Sequence, residues 1–498
     1  MATIAVIGAG FSGLSAATYL SAAGHDVRVY EKNASAGGRA RQLITDNGYV
    51  FDMGPSWYWM PDIFERFFND FGYSVSDFYQ LKLLDPSFDI IFENQEQMSI
   101  PASYPALRVL FESIEPKSSF QLDKFMEEAA YKYDIGMRDF SYMPGLSLTE
   151  FADIRLIRQA LRLNLFSSFS SHIRKYFSHP KLIALMEFPV LFLGAMPRDT
   201  PALYSLMNYA GLKLGTWYPQ GGFGEVIRSI RELASRNGTE FLFNSPVEKI
   251  IIKNNKATGI IVNGVHLPCD AVLATADYHY VEKVLLPGSA ANYHEGYWQK
   301  KTFAPSCLIY FLGIKKRLNK LNHHTLFFDE DLIQHAKEIY KSPQWPTKPL
   351  FYVCCPSRSD NGVAPTGHEN LFLLMPIAPG LGDNENLRER YFDIMMKRLE
   401  KHAGTDIRPY IDFKQSYSVS DFITDYHSYK GNAYGLANTL FQTAILKPKI
   451  NNRKIKNLFY AGQLTVPGPG VPPSLISGKT AATQLIKHLN SQKHEVAI

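Results

Sequence analysis

AVIGAGFSGLSAATYLSAAGHDVRVYEKNASAGGRA, residues Ala5–Ala40, decides the fold. Thr3 to Ile7 is a short apolar run, the pattern of a buried parallel strand. Gly8, Gly10 and Gly13 then spell G-x-G-x-x-G, and the Ala/Leu-rich stretch Leu14 to Ala23 predicts a helix that Gly24 ends. Val27 to Tyr30 predicts a second strand, closed by Glu31. The three glycines serve different needs. Gly8 permits the tight turn, Gly10 admits a pyrophosphate to the backbone, and Gly13 lets helix and strands pack closely. The helix N-terminus offers free N–H groups to phosphate, and Glu31 offers a carboxylate to ribose hydroxyls.

Composition bounds the rest. The 498 residues allow two or three domains, and 46% apolar residues allow a large core. Aromatics reach 13%, with 33 Phe and 28 Tyr, which suits either an apolar cavity or an aromatic core. A net charge of +5 is too small at this length to point to nucleic acid. Cys269, Cys307, Cys354 and Cys355 form neither a disulfide framework nor a C-x-x-C zinc motif, and predict reduced core thiols in a cytoplasmic protein. No basic region precedes the first apolar run, and no stretch is apolar enough to span a bilayer, so any membrane contact is expected to be peripheral.

Further along, Gly37-Gly38-Arg39 follows Glu31, and Gly54-Pro55-Ser56 marks a tight turn before the aromatic run Trp57-Tyr58-Trp59. Residues 63–213 read mainly as helices. Trp217-Tyr218-Pro219-Gln220-Gly221-Gly222 precedes an amphipathic helix over 223–237, and strands are expected over 240–243, 247–252 and 270–276, returning to the nucleotide domain. Strands over 307–313 and 370–376 belong to a second sheet. Asn457 to Gly462 is a strand running into a turn. Pro467-Gly468-Pro469-Gly470-Val471-Pro472-Pro473-Ser474 then leads into a helix to about residue 489, with Ser474 as its expected N-cap. His323-His324 has no third metal ligand spaced with it in sequence, so no metal site is expected, and no Ser/His/Asp triad is evident.

Together the G-x-G-x-x-G, Glu31, Gly37-Gly38-Arg39, Trp217-Tyr218-Pro219-x-Gly221-Gly222 and Asn457-Leu458-x-x-Ala461-Gly462…Pro467-Gly-x-Gly470-Val471-Pro472 elements resemble the bacterial-type carotenoid desaturases, phytoene desaturase-like flavoproteins. The similarity runs through nearly the whole chain, and Gln463 after Gly462 matches that family's lack of the acid that generic flavin oxidases carry there. The resemblance implies an α/β fold: a Rossmann-type FAD-binding domain of the glutathione-reductase/amine-oxidase type, a mixed α+β substrate domain and a helical membrane-facing part. Expected boundaries are 1–105, 214–287 and 426–498 for FAD, 106–213 for the helical part and 288–425 for the substrate. It implies FAD contacts at Gly8, Gly10, Phe11, Ser12, Gly13, Glu31, Lys32, Gly38, Arg39, Val247, Gly462 and Val471, with Gly54, Pro55 and Ser56 lining the flavin face.

The activity so implied is hydride transfer from an allylic CH2 to flavin N5 with loss of a neighbouring proton, the polyene spreading the developing charge. Phytoene converted to lycopene is the expected course. The alternatives are a later step such as 3,4-desaturation, a C30 substrate, an amine oxidase, or a non-catalytic prenyl/lipid-handling protein of related fold. The sequence singles out no general base; an acid in a dry pocket or a water would serve. A long polyene dissolves in lipid, and no acid lies between Asp153 and Glu187. That window holds Arg155, Arg158, Arg162, Arg174, Lys175 and Lys181 among large apolar residues; by pattern alone it could equally pack on its own domain with a solvated basic face, but a lipid substrate favours peripheral contact with the inner face of the membrane.

Overall fold

Ile4, Val6, Val27 and Val29 are fully buried, and the two strands that carry them, Thr3–Ile7 and Asp26–Tyr30, run parallel in the register Ile4↔Val27. The helix between them spans Phe11–Ala22, starting three residues earlier than its apolar pattern suggests because it follows directly on Gly10. The computed structural model describes residues 1–147 and 167–496. In it the parallel sheet has five strands in the order Leu458–Tyr460, Ala271–Ala274, Thr3–Ile7, Asp26–Tyr30, Glu240–Leu242. Strand alternation sorts its side chains between two cores. Ile4 and Val6 face the helices Phe11–Ala22, Phe223–Arg236 and Val471–Val496, whereas Ala5 and Ile7 pack against a three-stranded antiparallel sheet.

That second layer is Val247–Lys253, Lys256–Val262 and Val265–Pro268. The sequence pattern predicts only its first strand. Its tight connections take left-handed backbone at Asn254 and Asn255, then at Asn263 and Gly264, and these residue types favour hairpin turns.

The other sheet has seven strands: Ile411–Tyr417, Ser306–Ile314, Glu369–Ile377, Phe351–Cys354, His324–Phe327, Phe88–Ile91 and Gln97–Ile100. One face (Leu308, Tyr310, Leu373, Met375) packs on the helix Glu385–Ala403; the other (Ile309, Phe311, Phe372, Leu374) joins the core of the helical part. One expectation is refined here. Residues 63–213, read mainly as helices, also hold strands: Leu81–Leu83 pairs with Trp217–Pro219 and two further strands follow. Those two, Phe88–Ile91 and Gln97–Ile100, enter the second sheet. Strands of three or four residues carry too short a pattern to be read from periodicity alone.

Ser474 is corrected as well. The C-terminal helix begins at Val471, and the Ser474 N–H already donates to the Gly470 carbonyl at 3.0 Å. Pro472 and Pro473 fit its first turn because N–H groups there have no intrahelical acceptor. Residues 155–166 of the basic window lie outside the described residues. Of the remainder, Arg174 pairs with Glu187 and Lys181 with Glu96. Among the described residues no helix is long and apolar enough to cross a membrane.

Candidate active site

Steric fit dictates the glycine pattern of the first turn. Gly8 has φ +101° and donates its N–H to the Tyr30 carbonyl at 2.8 Å. A Cβ on Gly13 would lie 2.0 Å from the Gly8 carbonyl oxygen, so the helix touches the strand end. A Cβ on Gly10 would meet nothing within 4 Å: the backbone faces open space there. Gly37 bridges Gly10, and a Cβ on Gly38 would sit 3.2 Å from the Gly10 Cα, so the two glycine elements abut. Phe11 and Ser12 are buried in the first helical turn.

Glu31 is buried, accepting from Ala9 N–H at one oxygen and from the Asn33 backbone and side-chain amides at the other, all at 2.9 Å. Lys32 donates to the Thr424 carbonyl at 2.7 Å. Asn244 and Ser245 donate their N–H groups to the carbonyls of Asn33 and Glu31, which brings Val247 to the same strand end. Arg39 donates to Ser428 Oγ and lies over the Tyr426 ring at 5.0 Å, while its Nε is buried with no partner among the described residues. Asp277 belongs to no motif read from the sequence. It caps the N–H groups of His279 and Tyr280, leaves Oδ2 buried and unpartnered, and has its carboxyl pushed up by burial against the pull of Arg39. Its signal in the sequence is position alone, just beyond the carboxyl end of the strand Ala271–Ala274, where parallel sheets bind ligands.

A Cβ on Gly54 would lie 2.5 Å from the Arg39 carbonyl oxygen, so the Gly54–Ser56 turn rests on the Arg39 backbone. From the far end of the chain, Gly462, at φ +124°, donates its N–H to Ser477 Oγ at 3.0 Å. The helices Phe11–Ala22 and Val471–Val496 touch closely: a Cβ on Gly478 would stand 2.4 Å from the Ser12 carbonyl, and Ser15 Oγ donates to the Leu475 carbonyl at 2.8 Å. The open space at Gly10 and the free Arg39 donor fit a dinucleotide pyrophosphate.

A second space of about 700 Å³ lies in the other sheet's territory, walled by Phe188, Leu326, Phe328, Leu332, Ile339, Phe351 and Leu374. Its polar edges are His335 and the tyrosines Tyr340, Tyr352 and Tyr434. His335 is spoken for on both nitrogens, by the Pro376 carbonyl at 2.9 Å and the Leu350 N–H at 3.0 Å, and burial lowers it to about 4. Tyr352 links this cavity to the turn: its hydroxyl donates to Ser56 Oγ at 3.0 Å and bonds His324 Nδ1 at 2.6 Å. Trp57 stacks on His324 with centroids 4.2 Å apart. Neither Tyr352 nor His324 stands in a motif; strand pairing puts them here.

The same pairing brings to His323-His324 a cysteine that is distant in sequence. His324 stands opposite Cys354, and the ligand atoms of His323, His324 and Cys354 all lie within 4.8 Å of one another. All four cysteines are free thiols.

Residues 11–486 match the family model of flavin-containing amine oxidoreductases. The chain is 39% identical to the carotenoid 3,4-desaturase of Haloarcula japonica over 98% of both chains. It is 31% identical to the 4,4'-diapophytoene desaturase (4,4'-diaponeurosporene-forming) of Staphylococcus haemolyticus, over 98% of this chain and 100% of that one. Its fold matches a solved oxidoreductase from Methanosarcina mazei with a TM-score of 0.61 at 18% identity, over 97% of this chain and 100% of that one. Likeness along nearly its whole length places the protein in the flavin-containing amine oxidoreductase family, as a carotenoid desaturase-like, FAD-dependent oxidoreductase.

Proposed function

We propose that the chain introduces a C–C double bond into a carotenoid at a later step of the 3,4-desaturation type, rather than converting phytoene to lycopene. The observation that carries the desaturase reading is Tyr352, which both walls the apolar cavity and hydrogen-bonds Ser56 of the turn assigned to the flavin face. The activity of the Haloarcula japonica relative supports the 3,4 step. When bound, FAD supplies the hydride acceptor. The chain contributes position and dryness. Phe188, Phe328, Leu332, Ile339 and Leu374 hold a hydrocarbon and exclude water, while His335, kept neutral by burial, brings no charge into the cavity at pH 7. Gly8, Gly10, Gly13, Glu31, Gly38 and Arg39 would hold the pyrophosphate and ribose, Val247 would meet the adenine, and Gly462 and Val471 would meet the flavin end.

Anaerobic mixing tests this directly. A yellow holoenzyme should be bleached by lycopene, with a product of longer-wavelength absorption, and barely by phytoene. Bleaching by phytoene with lycopene formed would restore the first expectation. A protein holding FAD that neither carotenoid bleaches would end the desaturase reading, and a colourless protein without affinity for FAD would favour the lipid carrier.

Peripheral contact with anionic lipid is part of the same proposal. It draws on the basic window and on the exposed apolar residues Phe441 and Leu446.

A further inference from the structure

We propose that His323, His324 and Cys354 bind one borderline-soft divalent cation of the zinc class, inside the second sheet. The donor set is one thiol and two imidazoles, the types that zinc prefers, and the donor atoms lie within 4.8 Å of one another. All three residues are buried, at 4%, 0% and 1% exposure. Three of the histidine nitrogens, both of His323 and Nε2 of His324, are buried with no hydrogen-bond partner among the described residues. Buried polar atoms are nearly always satisfied, so an orphaned nitrogen on each of two rings beside a thiol points to a missing ligand.

The surroundings are those of a metal site. His324 Nδ1 bonds the Tyr352 hydroxyl, which orients the ring and leaves Nε2 for a cation. Trp57 fixes the same ring by stacking, and Tyr218 lies against His323 with centroids 4.7 Å apart. Cys355, the neighbouring thiol, is turned to the opposite face and engages Ser357 and Glu369, so Cys354 alone is available. Binding expels one proton, from Cys354 Sγ, and leaves a net positive charge. Asp360, which accepts from Tyr218 Oη at 3.2 Å, and Asp52 are the carboxylates near enough to offset it; Lys82 opposes them. Three protein ligands leave a fourth position for water. The cation would lock the strand pair His324–Phe327 and Phe351–Cys354 to the Ser56 turn through Tyr352, independently of which carotenoid the enzyme takes.

The test uses the flavin-loaded full chain, produced in zinc-supplemented medium, washed with chelator and analysed for metals by mass spectrometry. Close to one zinc per chain is expected, falling at least tenfold in Cys354→Ser and in His323→Gln. Growth with cobalt in place of zinc should add thiolate-to-cobalt charge transfer and bands at wavelengths beyond the flavin's. If the variants do not fold, X-ray absorption on the zinc-loaded wild type decides, with one sulfur at about 2.3 Å and two nitrogens at about 2.0–2.1 Å expected. Wild-type protein with no zinc or cobalt above background, metal retained in both variants, or a shell without sulfur would each overturn the proposal; the first outcome would mean that water fills the cluster.

Discussion

Gly13 and Lys447 show what single residues impose. A methyl on Gly13 collides with a backbone oxygen, which cannot swing away as a side chain can. Gly13→Ala should cost about 1–3 kcal/mol and lower the flavin-to-protein absorbance ratio of the purified enzyme several-fold. Lys447 is 2% exposed, its Nζ has no partner among the described residues, and burial with Lys301 nearby lowers its ammonium to about 7 from an ordinary 10.5. Between those two values the unfolded chain holds a proton that the folded chain has released, so stability rises with pH across that window. Below about pH 7 both states are charged and the burial cost is felt in full. Urea midpoints at pH 7.5 and 9 should differ by an amount equivalent to about 2 kcal/mol. Lys447→Met should abolish that difference and be the more stable protein at pH 7.

Elements meet where small residues let them. Contact between the helices Phe11–Ala22 and Val471–Val496 relies on Gly478, whose missing Cβ makes room for the Ser12 carbonyl. Gly478→Leu should force the helices apart and release FAD, measurable as a rise of at least tenfold in its dissociation constant; unchanged affinity would mean that the crossing does not position the cofactor loop. The proposed membrane contact rests on charge in the basic window. Replacing Arg155, Arg158 and Arg162 with Glu should abolish co-sedimentation with anionic liposomes, at about 1 kcal/mol for each charge removed near the surface. Arg174 and Lys181 already have acidic partners and should matter less.

At the scale of the molecule, Tyr352 joins the apolar cavity to the Gly54–Ser56 turn, proposed to line the flavin face. Tyr352→Phe removes the bonds to Ser56 and His324 while keeping the wall apolar. It should leave the flavin content intact and lower kcat/KM by about tenfold, the equivalent of one hydrogen bond. Equal activity would mean that the turn is held by packing alone.

From the sequence alone came the nucleotide half. Gly8, Gly10, Gly13 and Glu31 are bound to one another by local backbone geometry within about thirty residues, so order along the chain is enough to read the βαβ unit. The C-terminal strand over 457–462 is legible for the same reason, although Ser474 misleads as a cap because the two prolines before it fit a helix's first turn. In the seven-stranded sheet the strands Ser306–Ile314 and Glu369–Ile377 are legible in sequence, and the rest was decided by tertiary structure. Phe88–Ile91 reaches its place by pairing with residues more than two hundred positions away, and His324 meets Cys354 and Tyr352 only across paired strands. Strand register is set by which face is buried, a property of the assembled sheet rather than of any short stretch. The cavity, the Tyr352 link and the His323–His324–Cys354 cluster therefore exist only once that sheet has formed.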